Sequence, residues 1–558
     1  MRALVVLALA GCAGAPAAPG AFVPSSTRLP PPPASDPSVR GASYLTALAG
    51  QLQMRWAAFL EDCRLRLSAA HPLNAMTLAV AFDIAIGRDG AIVARAQVET
   101  SGNGDFDTAA ADVLADASPL PAPPDDVLSD DELAHVRWQF ARDRRAAGAA
   151  TARMMMVELP LLEVAARLLD RGELTRAARR IATAPPAAPE RDEAARRVMI
   201  AALREALASP DSAARRAAVE ACGHAGVHEL AGAVRAQLAA TTDPELRLAA
   251  ISAAGALGDR AAAPALLLAL RDDLRQHSSV ALARVRALVA LGHAADAAAV
   301  VRAVLDGGPN TTALAALAIV PIPAMAGKLA AWAVARDAVT RGAVCTALPD
   351  AAPERAVALI ARGLRDPDAT VRATCADAAG RRDPAHPDPA AVRRLHELAR
   401  DRDRSVRAHA VAALGRLAAA HPLHAAEDPA PEVRAAFARM ATEAELRMLV
   451  GDREADVRAA GLTALVAFGD RARDAARRAA GDPAAVVRRA AVVALDDATA
   501  LGRLARDDSP DVATAALVRL TALAGRAALT SQLLEQLAAA PAGSAERARI
   551  ALAWLLAS

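Results

Sequence analysis

The sequence predicts a mainly α fold: an α-solenoid of stacked helical hairpins, preceded by a small α/β domain. Three observations carry this. Alanine dominates a composition that is 54% hydrophobic but only 2% aromatic, which suits helices packed closely through small side chains rather than an aromatic-rich β core. An Asp…Arg motif recurs through the second half of the chain at the spacing of a helical hairpin. One segment near residue 80 alternates apolar with smaller or polar residues at period two, the signature of a strand. At 558 residues the chain also exceeds what one core organises, so several folding units or a quasi-linear array are expected.

The first element is an export signal. Met1-Arg2 gives a basic start, Ala3 to Ala10 an apolar run too short to span a bilayer, and Gly11-Cys12 a small-residue cleavage site. Leu9-Ala10-Gly11-Cys12 resembles the lipobox of bacterial lipoproteins. That resemblance implies cleavage between Gly11 and Cys12 and acylation of the Cys12 sulfur, so residues 1–11 are read as signal peptide. Ala13 is not the Asp that retains such proteins at the inner membrane, which implies the outer one. Residues 12–40, rich in Ala and Pro and including Pro30-Pro31-Pro32-Pro33, read as an extended tether. No later stretch is long and uncharged enough to cross a membrane, so the lipid anchor is the only expected attachment.

Residues 41–147 carry the α/β domain. Leu45, Leu48, Leu52, Trp56, Phe59 and Leu60 recur at helical spacing. Leu78, Val80, Phe82, Ile84 and Ile86 then alternate as a strand, Arg88-Asp89-Gly90 supplies a turn, and Ile92 to Val98 reads as the returning strand. Ser101-Gly102-Asn103 and Asp107 read as a turn and a helix start, ahead of an Ala-rich helix, a proline cluster from Pro119 to Pro124, and a last strand around Val136 to Phe140. This order, with Ser-Gly-Asn…Phe-Asp-x-Ala-Ala, resembles the C-terminal domain of the TonB and TolA envelope proteins. The resemblance implies docking of periplasmic partners, often by strand pairing at a sheet edge. Those proteins have a transmembrane helix that couples to a motor; this chain departs from them in having only the lipobox, which leaves docking rather than force transduction to carry over.

Residues 148–204, with Met154-Met155-Met156, are read as connecting helices, and 205–558 as the array. The motif appears as Asp211 with Arg215, Asp243 with Arg247, Asp366 with Arg372, Asp403 with Arg407, Asp428 with Arg434, Asp452 with Arg458, and Asp482 with Arg488. From Arg372 to Arg488 successive arginines lie 35, 27, 24 and 30 residues apart. Each Asp, often followed by Pro, is expected to cap the helix that follows, and the repeated pairs to form a structural ladder. Residues such as Ala249, Ile251, Ala254 and Leu257 are expected to face neighbouring units, with Gly255 or Gly258 closing the helix. Asp243-Pro244-Glu245-Leu246-Arg247 and the Ala-rich stretch after it resemble HEAT repeats, particularly the short variety of phycobilisome-lyase-like proteins. The likeness runs over roughly 205–550 and is weaker at 295–350.

Chemistry is sparse. Cys222, His224 and His228 are the nearest approach to a metal constellation, but no fourth ligand is evident, and His421 with His424 reads the same way; both read as loops between repeat helices. No nucleophile elbow, phosphate loop, dinucleotide fingerprint or zincin motif occurs. Basic and acidic residues, 65 and 63, are interspersed, and with few aromatics for base stacking nucleic acid is not an expected partner. Lys328 is the single lysine, an Arg bias that fits a GC-rich genome. Cys63, Cys222, Cys345 and Cys375 read as buried thiols; Cys345 and Cys375 occupy similar places in nearby repeats, so an oxidising compartment could join them. The expectation is therefore a non-catalytic, lipid-anchored, periplasm-facing scaffold without cofactor or metal, whose partners are other envelope proteins. The alternatives are a component of TonB/Tol-like transport machinery that docks outer-membrane receptors, and a lyase-like enzyme on a HEAT scaffold.

Overall fold

A computed structural model describes residues 41–129, 131–142, 152–157, 159–188, 190–382, 385–420, 422 and 424–557. The signal, its cleavage residues Gly11 and Cys12, the tether and His421 lie outside these residues. The described chain forms two compact units. One extends to Arg180 and includes Ala187–Ala194; the other comprises Ile181–Pro186 and the chain from Ala195 onward.

In the first unit, helix α1 (Ala42–Arg66) buries every apolar position read from its spacing, from Leu45 to Leu60. It packs on an antiparallel sheet of order β2-β1-β3-β4, with β1 Ala79–Ile86, β2 Ile92–Glu99, β3 Ala134–Ala141 and β4 Ala152–Met156. The core is aromatic: Trp56 lies 4.8 Å from Phe140 and 5.2 Å from Phe106, centroid to centroid. The β1–β2 turn closes on Gly90, whose φ of 80° favours glycine. Any Cβ there would meet the Leu120 carbonyl oxygen at 1.9 Å, so backbone contact from the proline cluster requires the bare residue. Helix α2 (Gly104–Ala117) starts at Asn103, whose side chain accepts from the Asp105 and Phe106 amides. The Asp107 carboxylate accepts from the Ser101 amide, Thr100 Oγ1 and Gln97 Nε2, locking the preceding turn to β2.

The reading of 148–204 as connecting helices is corrected at its start. Residues 152–156 are β4, paired with β3 from Val136↔Met156 to Phe140↔Ala152, and Met154 is fully buried in the core. Three successive methionines carry no period, and long-range pairing decides such a segment.

In the second unit helices alternate between two rows. One row comprises α6 (Ser212–Ala225), α8 (Pro244–Ala256), α10 (Ala281–Ala290), α12 (Thr311–Ala316), α14 (Ala338–Ala351), α16 (Ala369–Arg381), α18 (Arg404–Arg416), α19 (Pro431–Phe437), α21 (Ala455–Leu465), α23 (Ala485–Ala494), α25 (Pro510–Ala524) and α27 (Ala545–Leu556). Each packs on the next, and α27 packs back on α6. The solenoid is thus closed on itself. At the closure Arg547, almost fully buried, donates from Nη1 to Glu205 at 2.7 Å and from Nε to the Ala540 carbonyl. Beside it Trp554 donates to Thr530 Oγ1 at 3.1 Å.

Small residues let this row close up. Gly255 does not end α8, as its spacing suggested; it sits inside the helix, where a Cβ would lie 3.0 Å from Ala287 Cα, and Gly258 takes the left-handed position beyond. At Gly380 the same atom would come within 2.6 Å of Ala413 Cα. The other row is looser over most of its length, as its weakly touching helices α24 (Ala498–Leu504) and α26 (Arg526–Ala539) illustrate, although α9 (Ala263–Arg275) and α11 (Ala294–Asp306) do pack together. A tight layer under a splayed one must curve toward the tight side, so the closed row lines the concave face.

Cys345 in α14 and Cys375 in α16 are joined by a disulfide, Cα atoms 5.1 Å apart, instead of remaining two buried thiols. Cys63 and Cys222 are buried and not disulfide-bonded.

Candidate binding surfaces

The repeated Asp and Arg residues are drawn together in one continuous device, though not as capping alone. Arg372 holds Asp401 through Nε and Nη2, both at 2.9 Å, while its Nη1 donates to the carbonyls of Asp366 and Pro367 in its own turn. The same pattern joins Arg341 to Asp366, Arg407 to Asp428, Arg434 to Asp452, Arg458 to Asp482, and Arg488 to Asp507. The planar guanidinium can grip a carboxylate and two carbonyls at once, which lysine cannot.

Asp366, Asp428, Asp452 and Asp482 are therefore corrected from their expected capping role. The helix caps are Asp368, Ala430, Glu454 and Ala484, two residues later. Each ladder Asp instead accepts the amide two residues on and faces the arginine of the preceding repeat. Asp211, Asp243 and Asp403 do cap α6, α8 and α18. The carboxyls of Asp366, Asp452, Asp482 and Asp507 are held below their ordinary range first by these guanidinium bonds. At Asp401 and Asp428 burial pushes upward, yet the arginine and amide bonds win and both are lowered. Sequence reasoning missed Arg341, Asp401 and Asp507 as members of the ladder and Asp368 as a cap; Asp401 is two residues before the Asp403 that it singled out.

The solvent face of the concave row carries apolar side chains that nothing in the unit covers: Leu248, 42% exposed, Val339, 63%, and Val493, 58%. Between α6 and α8 lies a cleft of about 520 Å³ edged by Arg216, Glu220, His224 and Glu245, with Leu248 and Ala249 on its wall. Apolar patches rimmed by charge are the chemistry of a protein contact.

In the first unit β2 and β4 are the outer strands. β2 is exposed along nearly its whole length, with Val93 and Val98 open to solvent, and its outer backbone groups face away from β1. Arg95 anchors it by donating to the Ala111 carbonyl at 2.5 Å. Near β4, buried Asp131 accepts from His135 Nε2 at 2.8 Å and Arg167 at 3.4 Å.

The metal candidates do not assemble. Cys222 is fully buried, with its thiol pushed up to about 12 by burial, whereas His224 is exposed and His228 bonds the Leu257 carbonyl at 3.0 Å. His424 bonds the Ala399 carbonyl at 3.2 Å. Among the described residues no three His, Cys, Asp or Glu side chains converge as ligands, and no helix is long and apolar enough to cross a membrane.

Comparison with known proteins agrees with this layout. A family model for the TonB C terminal matches residues 62–133, and one for HEAT repeats matches 200–283 and 328–415. The chain therefore carries a TonB C-terminal-like domain followed by HEAT repeats. No curated protein matches. Among solved structures, YibA of Escherichia coli is 16% identical at a TM-score of 0.25, covering 38% of this chain and 75% of YibA. An engineered protein is 18% identical at 0.22, covering 65% and 99%, and Kap121p is 11% identical at 0.26, covering 66% and 52%.

Proposed function

We propose that this protein is a non-catalytic interaction scaffold of the bacterial cell envelope, tethered through a lipid on Cys12 and facing the periplasm, at the outer membrane. The carrying observation is the union, in one chain, of a TonB C-terminal-like domain and a HEAT array whose concave row leaves apolar side chains uncovered. Two observations support the compartment. The lipobox-like Leu9-Ala10-Gly11-Cys12 lies ahead of a proline-rich tether, and the Cys345–Cys375 disulfide suits an oxidising environment. The exposed β2 strand favours a second reading within this one, in which the first unit binds an extended segment of an outer-membrane receptor.

The anchor is tested by growing cells with labelled palmitate. The natural protein incorporates label and fractionates with membranes, while Cys12→Ala loses both; a labelled Cys12→Ala protein removes the anchor from the proposal.

A further inference from the structure

One cleft of the array has a chemistry unlike the rest of the unit. It lies where α24 and α26 stand apart over α25 and α27, and it encloses about 700 Å³, within the range of about 300–1,000 Å³ typical of ligand clefts. Its floor is Ala513, Leu517, Leu520 and Ile550, all buried. Three arginines edge it: Arg503 in the last turn of α24, Arg506 just beyond its end, and Arg549 on α27.

The ladder arginines from Arg341 to Arg488 are spent on carboxylates. The three at this cleft are not ladder arginines, and among the described residues their guanidinium groups make no ion pair or hydrogen bond. Asp507, also in the cleft, is already gripped by Arg488 at 2.6 and 2.7 Å, leaving Glu546 as the uncommitted acid. Three free cations thus face one free carboxylate. Gln532 and Gln536 of α26 complete the wall, and a carboxamide both donates and accepts, as a peptide backbone requires.

We propose that this cleft binds a short acidic peptide segment of a partner protein, its carboxylates paired with Arg503, Arg506 and Arg549 and its backbone with Gln532 and Gln536. The inference rests on the scaffold reading and names the chemistry of one of its ligands. A simple anion would leave the glutamines unused; a peptide engages both walls. Guanidinium forks suit carboxylates in bidentate pairs, and such exposed pairing weakens with salt.

The test is fluorescence anisotropy of the full-length protein with a labelled peptide of sequence DELEDLE, beside its amide counterpart NQLQNLQ and vesicles of phosphatidylglycerol. The acidic peptide binds, and the Arg503→Gln/Arg506→Gln/Arg549→Gln protein binds it at least tenfold more weakly. Removing the same charge elsewhere, by Arg271→Gln/Arg362→Gln/Arg393→Gln, leaves the affinity within twofold. Arg503→Glu/Arg549→Glu transfers preference to the lysine peptide KKLKKLK, a gain that misfolding cannot produce. Equal weakening by both triple variants, equal binding of NQLQNLQ, or capture by vesicles without any peptide affinity overturns the proposal. None of these results touches the partners recovered at the concave row, so failure here is distinct from failure of the scaffold reading.

Discussion

The first repeats and the later ones share a motif but not its use. At Arg215 and Arg247 the guanidinium bonds only its own turn, reaching the carbonyls of Ser209 and Pro210 in one case and Thr241 in the other. From Arg341 to Asp507 each arginine also crosses to the next repeat, giving six bidentate rungs. The rung needs an Asp placed where the following turn begins, two residues before the helix cap. In the early repeats that place holds no such carboxylate; Asp243 serves as a cap and is bonded by Ser212 instead. One motif therefore serves as a local turn clamp in the first repeats and as inter-repeat cement in the later ones.

Breaking the two versions separates them. Arg434→Ala, which strands half-buried Asp452 and two carbonyls, is expected to cost about 3 kcal/mol, the lower end for removing one member of a buried pair. Hydrogen exchange should rise in α19 and α21, and unchanged protection there would contradict the cementing role. Reduction of Cys345–Cys375, which spans a separation of 30 residues at the start of the ladder, is expected to remove about 3.6 kcal/mol by the loop-entropy relation. Faster proteolysis of α14 to α16 in dithiothreitol than in its absence would register it.

Acid offers a graded version. The ladder carboxyls titrate below their ordinary value in the folded chain, so their contribution is full above about pH 4 and lost as pH falls through and below that value. Pepsin at pH 3 should therefore cut residues 338–507 before 212–306, and the reverse order would deny the ladder its electrostatic share. The smallest effect is Arg247→Ala, about 1 kcal/mol for a single neutral-acceptor bond, read as a slight fall in unfolding temperature.

Much of this was legible locally. The buried stripe of α1, the β1–β2 hairpin, the turn at Ser101–Asn103 and the recurrence of the hairpins follow from spacing and turn chemistry alone, whereas the helix start read at Asp107 falls to Asn103. What escaped was long-range. β4 consists of residues with little period of their own, so only pairing with β3 identifies them. The ladder displaced Asp366, Asp428, Asp452 and Asp482 from capping because a guanidinium a repeat away competes for them. Closure of the array joins Arg547 to Glu205, 342 residues away, and no local pattern announces such a contact. The arginine cleft was hidden for the same reason: Arg503 and Arg549 are ordinary surface cations until the fold sets them around one space.

The most direct measurement of the scaffold reading is photo-crosslinking in intact cells, with p-benzoylphenylalanine placed at Val339 or Val493 on the concave row and at Leu268 or Val357 on the splayed row. The account predicts discrete protein adducts from the concave positions and none from the splayed ones. Adducts of equal yield from both rows, or none from Val339 and Val493, would contradict it.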